Sequence, residues 1–148
     1  MNKENQSKIT ELIRQTKPLI FREMTHEKVM EKGAADYVTN VDVAVQNYLK
    51  EALEKEFPKI RLIAEEKENL GLDPDNSYWI LDPIDGTTNL IRDYHLSAVS
   101  LGLYENGEIT FGVVYNPFTE ELFYGAKGEG AYLNGAPIQV SNQPEFKD

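Results

Sequence analysis

The chain has 148 residues, a formal net charge of −10 and no cysteine. That length suits one domain of ordinary size, able to bury roughly two-thirds of the surface its unfolded form exposes. The acidic balance argues against non-specific nucleic-acid binding, which needs a Lys/Arg surface, and the lack of cysteine excludes disulfides, thiolate chemistry and a Cys-built zinc site.

Residues 1–8 are polar and lack the apolar core of a signal segment, and no run approaches a membrane span. A cytoplasmic protein without a membrane partner is therefore expected. Ile9, Leu12, Ile13, Leu19, Ile20 and Met24 recur at helical spacing. They predict a helix from about Glu4 to about Met30, kinked or broken near Pro18. Gly33-Ala34-Ala35-Asp36 reads as a loop. Thr39-x-x-Asp42 then predicts a capping box that opens a second helix, with Val45, Leu49, Ala52 and Leu53 as its apolar stripe and Pro58 as its stop.

From Ile60 the period changes. Arg61 to Ala64 reads as a short strand, Glu66 to Ser77 as a polar loop, and Tyr78-Trp79-Ile80-Leu81 as a buried strand running into Asp82-Pro83. Leu96 to Tyr104 and Glu108 to Tyr115 flank Asn106-Gly107, a strong hairpin signal. Glu121 to Tyr124, Ala131 to Leu133 and Pro137 to Val140 complete a strand-rich last third, with Asn134-Gly135 as a further tight turn. The fold class expected is α+β, two N-terminal helices packed on a mainly antiparallel sheet.

The chemistry concentrates in Asp82-Pro83-Ile84-Asp85-Gly86-Thr87-Thr88-Asn89. Two carboxylates follow an apolar strand, and a hard cation such as Mg²⁺ takes one or two carboxylates plus phosphate oxygens. Pro83 stiffens the turn between them. Gly86 lets backbone approach a ligand, and Thr87, Thr88 or Asn89 can cap a short helix. With 25 acidic residues in 148, acidic pairs at any one spacing arise by chance roughly four times, so Asp-x-x-Asp alone says little and the whole octet much more. Glu65 and Glu66 end a strand, where ligands are presented, although a solvated acidic loop would read the same. Asp42 alone is a helix-capping acid. A cation also suits an acidic protein that must bind phosphate, because it inverts the local charge. His26 and His95 read as surface or packing residues.

The segment Asp36 to Gln46, the Glu65-Glu66 pair, the run Asp82 to Leu90, Gly112-Val113-Val114-Tyr115 and Gly125-Ala126-x-Gly128-x-Gly130-Ala131 together resemble, in order and spacing, the N-terminal motifs of the inositol monophosphatase family. That family belongs to a lithium-sensitive, metal-dependent phosphatase superfamily. The Thr-Thr-Asn ending resembles its monophosphatase branch. The resemblance implies an Mg²⁺-dependent phosphate monoester hydrolase acting on inositol phosphate or a related sugar or polyol phosphate, and a homodimer. It implies that Glu65, Asp82 and the Ile84 carbonyl hold a first metal, that Asp82 and Asp85 hold a second, and that Glu65 helps with a third. Gly86 and Thr87 amides would cradle the phosphate. Thr87, with Asp42 behind it, would orient and deprotonate the attacking water. Lys32 resembles a basic residue near the metals. Family members are almost twice as long, and their second half carries a Trp-Asp-x-Ala-Ala-Gly-like motif whose Asp completes the second metal site. Here Trp79 is the sole tryptophan. Residues 1–148 are thus expected to be an N-terminal metal-binding domain, half of a layered αβαβα fold whose C-terminal domain is absent. The alternative is a non-catalytic cation-binding or dimerising fragment.

Overall fold

The computed structural model describes residues 1–26, 29–33, 36–64 and 73–142. Two helices open the chain, α1 (Lys3–Arg14) and α2 (Thr16–Met24). The break falls at Gln15, ahead of Pro18. Proline is excluded from a helix interior but tolerated in a first turn, where its missing N–H has no partner to lose. The expected break near Pro18 is thus present, whereas the extension of the helix to Met30 is corrected. The chain leaves the helix after Met24, and Met30 lies in β1 (Val29–Gly33), which pairs antiparallel with β2 (Asp36–Thr39). Ala34 and Ala35 of the expected loop lie outside the described residues.

Helix α3 (Asn40–Glu56) starts as the sequence predicts. The Thr39 side chain accepts from the Val41 and Asp42 amides, while Asp42 accepts from the Thr39 amide, closing the capping box. Val41, Val45, Leu49 and Leu53 recur every fourth residue and are all fully buried. They sit with Ile9, Ile13 and Ile20 of the first two helices.

The sheet has seven strands in chain order: β3 (Arg61–Ala64), β4 (Tyr78–Asp85), β5 (Ala98–Glu105), β6 (Glu108–Asn116), β7 (Glu121–Ala126), β8 (Gly130–Leu133) and β9 (Ala136–Ile138). Only the β3–β4 pair is parallel. The short helix α4 (Thr87–Ile91) joins β4 to the loop before β5. Asn106-Gly107 and Asn134-Gly135 make the expected tight turns, all four residues lying at positive φ (52°, 83°, 48° and 85°) as the twist of a two-residue hairpin requires.

Strand alternation sorts the sheet into two unlike faces. Trp79, Leu81, Val99, Leu101, Leu103, Phe111, Val113, Tyr115 and Leu122 bury themselves with the helices. The opposite face carries Ile80, Ser100, Gly102, Gly112, Val114, Phe123, Gly125 and Ala131, and forms an open trough of about 470 Å³. Gly102, Gly112, Gly125 and Ala131 stand in register across four strands and floor it.

Trp79 is fully buried with its ring edge-on to Phe57, 5.4 Å between centroids. Its indole nitrogen has no hydrogen-bond partner among the described residues. The residue therefore stabilises by volume and contact alone. Trp79→Ala is expected to cost about 3–5 kcal/mol in urea denaturation, as large core truncations do. Trp79→Phe should cost under about half of that, because no hydrogen bond is lost. Equal losses in the two variants would contradict this account.

Candidate metal and phosphate site

The site grows from the end of β4. A regular strand alternates its side chains, so two residues three apart point to opposite faces. Asp82 and Asp85 escape this. Asp82 pairs with Ser100 and Asp85 with Ala98, three residues on β4 against two on β5. One extra residue is thus accommodated in β4 as a bulge. Ser100 and Ala98 lie on one side of β5, so Asp82 and Asp85 come to that side together, away from the helices. Pro83 suits the bulge because it has no ladder N–H to waste. Pro83 and Ile84 are buried, Asp82 is half-buried and Asp85 is exposed.

Gly86 then turns the chain at φ +82°, ψ 42°. A β-carbon there would stand 2.9 Å from the Leu96 carbonyl oxygen and 3.1 Å from Asn89 Nδ2, so both the angle and the space call for glycine. The Gly86 carbonyl accepts from the Leu90 amide (3.0 Å) and from Ser97 Oγ (2.9 Å). Asn89 Nδ2 donates to the Leu96 carbonyl at 2.7 Å, and Asn116 Nδ2 to that of His95 at 3.2 Å. Gly86 itself is the N-cap of α4, with no side-chain capping bond. That corrects the expected capping by Thr87, Thr88 or Asn89, since Asn89 is engaged with the Leu96 carbonyl instead. An open cleft of about 200 Å³ lies here, lined by Asp85, Gly86, Asn89, Leu96, Ser97, Ala98 and Asn116.

Thr87 connects the sheet to the helical layer. Its hydroxyl lies 3.0 Å from the Ile84 carbonyl oxygen and 3.2 Å from Asp42 Oδ1. Asp42 is 5% exposed, and its Oδ2 accepts from both the amide and the hydroxyl of Thr39, at 2.9 and 2.7 Å. The carboxylate that caps α3 therefore also faces Thr87.

Of the residues singled out from sequence, Asp42, Ile84, Gly86 and Thr87 are in one connected group, and Asp82 and Asp85 share one face beside it. Glu65 and Glu66 lie outside the described residues, as does the side chain of Lys32. Among the described residues no three of His, Cys, Asp and Glu cluster as a metal site. His26 is exposed. His95 is also exposed, paired with Asp93 at 2.9 Å and stacked on Phe118. Sequence reasoning missed Ser97 and Asn116, which carry no local motif. Their contacts exist only because β5 returns beside β4 and β6 beside β5.

The family model described as "Inositol monophosphatase family" matches residues 1–148. The chain belongs to the inositol monophosphatase family. It is 43% identical over 122 residues to "Inositol monophosphatase 3" of Solanum lycopersicum, a stretch covering 80% of this chain and 45% of that protein. It is 38% identical over 129 residues to the "Fructose-1,6-bisphosphatase/inositol-1-monophosphatase" of Aquifex aeolicus, covering 86% of this chain and 48% of that one. Among solved structures, the extragenic suppressor protein suhB of Bartonella henselae superposes with a TM-score of 0.87 at 32% identity, covering 98% of this chain and 57% of its own. An IMPase/NADP phosphatase complexed with Mg²⁺ and phosphate superposes with a TM-score of 0.85 at 30% identity, covering 97% and 55%. The chain thus spans about half the length of the family relatives it matches.

The turn at Gly86 can be tested without any ligand. Gly86→Ala forces a β-carbon into a left-handed conformation and against a backbone oxygen. It is expected to lower stability by about 2 kcal/mol or more in urea denaturation. A loss below about 0.5 kcal/mol would show that residue 86 is not held at positive φ.

Proposed function

We propose that this chain is the N-terminal, metal- and phosphate-binding domain of an Mg²⁺-dependent phosphate monoester hydrolase, acting on inositol phosphate or a related sugar or polyol phosphate. The observation that carries the reading is the bulge in β4, which brings Asp82 and Asp85 to one face beside the Asp42–Thr87 pair. Family membership supports it, as do one similar structure complexed with Mg²⁺ and phosphate and another bound with D-inositol-1-phosphate.

The donor set suits the ion. Asp82, Ile84 and Asp85 offer two carboxylates and a carbonyl within four consecutive residues, all oxygen, as hard cations require. Mg²⁺ commonly keeps several waters and takes further oxygens from substrate phosphate, so it does not need an all-protein cage. Glu65 directly follows Ala64, the β3 residue paired with Leu81; we assign it as a further ligand. When bound, such an ion acidifies a water and stabilises charge on the phosphoryl and leaving oxygens.

The chain's own residues supply position. The Gly86 and Thr87 amides receive phosphate oxygens. The Thr87 hydroxyl has one hydrogen and two acceptors within reach, Ile84 O and Asp42 Oδ1. With its hydrogen directed to Asp42, Thr87 Oγ1 can accept from an attacking water and aim it in line. The new bond would form between the water oxygen and phosphorus while the water's proton passes to Thr87 Oγ1 and the threonine's own hydrogen to Asp42. The ester oxygen would depart with its electron pair and take a proton from solvent, leaving the alcohol and inorganic phosphate. No side chain becomes covalently attached. The reading includes a homodimeric, cytoplasmic protein. No helix among the described residues is long and apolar enough to cross a membrane.

Three outcomes test this. Millimolar Mg²⁺ should raise the melting temperature of the chain, and Asp82→Asn should abolish the rise, since Asp82 is assigned to both metals; an unchanged response in the variant would refute the assignment. Thr87→Val should lower phosphate release from inositol 1-phosphate by about 100-fold or more while leaving the Mg²⁺ response intact, in the range expected for losing a positioned proton relay. The unmodified chain, beside a double-length relative, should itself be slower by at least about 100-fold, because the resemblance implies one further carboxylate in the second half and loss of an outer partner of a metal ligand already costs about 10–100-fold. Comparable rates would overturn that last expectation, whereas Mg²⁺ binding without any turnover would favour a non-catalytic cation-binding fragment.

A further inference from the structure

We infer that Ser97 is a positioning residue for phosphate, acting through the Gly86–Thr87 peptide; the inference rests on the proposed phosphate role of that peptide. Ser97 is 2% exposed and sits immediately before β5, next to Ala98, the partner of Asp85. Its hydroxyl donates to the Gly86 carbonyl at 2.9 Å.

The consequence follows from the planarity of the amide. The carbonyl of Gly86 and the N–H of Thr87 belong to one rigid plane and point in opposite directions. Whatever fixes the first fixes the second. Glycine at φ +82° would otherwise leave that plane free to rotate, because no side chain restrains it. The other donor on this carbonyl is the Leu90 amide, part of the first turn of a five-residue helix. A helix that short holds its end poorly by itself. Ser97 is different in kind, since it belongs to a strand entry locked into the sheet. Asn89 and Asn116 tie the adjoining carbonyls of Leu96 and His95 on the same side. Two donors from unrelated elements thus hold one carbonyl, and the Thr87 N–H is aimed in advance rather than on arrival of the ligand.

The Ser97 hydroxyl gives its hydrogen to the Gly86 carbonyl, not to an oxygen of the assigned metal donors Asp82, Ile84 or Asp85. Loss of the hydroxyl should therefore separate phosphate affinity from Mg²⁺ affinity, which a merely structural role would not do. The test is calorimetric titration of the 148-residue chain, first with Mg²⁺ alone, then with inorganic phosphate at saturating Mg²⁺. The comparison includes Ser97→Ala, which removes the donor, and Ser97→Cys, which keeps the volume but gives a much weaker one. Both variants should bind phosphate about tenfold more weakly, the scale of one aimed hydrogen bond, with Mg²⁺ affinity within about twofold of the unmodified chain. Unchanged phosphate affinity in Ser97→Ala, full retention in Ser97→Cys, or equal losses of Mg²⁺ and phosphate affinity would each overturn the inference. Absence of phosphate binding by the unmodified chain would overturn the site reading itself, and is distinguished by appearing before any substitution is made.

Discussion

A sheet has only two faces, and the spacing of residues along a strand decides which one each side chain joins. The two carboxylates at the end of β4 are an odd number of residues apart, so an uninterrupted strand would send one into the helical core and the other away from it. The inserted residue at Pro83–Ile84 repairs this parity. It can do so only because the rest of the register cannot slip. Trp79 stands opposite Leu103, and Leu81 opposite Leu101, all four nearly inaccessible. Moving β4 by one place would bring these groups out and the polar ones in. The core thus fixes the strand, the strand confines the irregularity to one place, and the irregularity aligns the carboxylates. Ile84, 3% exposed, adds a side chain to the core cluster at that place, and its carbonyl is already within reach of Thr87.

Asp42 shows how a stabilising feature can also serve the proposed site without a separate investment in structure. A carboxylate in the first turn of α3 is favoured by the helix dipole and by the Thr39 amide it satisfies. A longer acid at the same position could also close a capping box. Asp42 does more, because its second oxygen faces the Thr87 hydroxyl 45 residues further on. A buried carboxylate is costly unless its oxygens are occupied, and here Thr39 and Thr87 together provide three donors. The Thr87 hydroxyl stands between the capping carboxylate and the β4 carbonyl, with both acceptors within reach of its one hydrogen, and so couples the helical layer to the sheet.

Much of this was legible in the sequence, and the reasons are local. Thr39-x-x-Asp42 names its own helix start, Asn-Gly names its own turn, and the Asp82 to Asn89 octet combines strand end, carboxylates and glycine in one contiguous string. The apolar series at helical spacing ends at Met24, so nothing periodic supports a helix to Met30, and Val29 and Met30 pair with Thr39 and Val38 instead. Pairing between two short segments leaves no periodic mark in either. The bulge was hidden for a related reason: it is a count of residues on one strand against another, and a single strand does not contain that count. Ser97 and Asn116 were hidden because each is an ordinary polar residue until the sheet closes. The Asp42–Thr87 contact was available only through family resemblance, since nothing in the intervening residues announces it.

The separation of the two sheet faces gives the molecule a division of labour. On the helix side, nearly every large side chain is inaccessible, and alterations there act through packing. On the other side, Ile80 and Ser100 share an open trough with Asp82, and the glycine row keeps its floor low. Val114 and Phe123, at 43% and 40% exposure, stand above that floor. The face that presents the carboxylates is therefore also the face with the least packing of its own. This is a consistent arrangement for a cation site. Donors need room for water and for ligand oxygens, whereas the strand carrying them needs rigidity. Rigidity comes from Trp79 and Leu81 below, room from Gly102, Gly112 and Gly125 beside. Leu81, one residue from Asp82, is 1% exposed on the core face, so the backbone that carries the carboxylate is anchored there while Asp82 lines the trough on the open side.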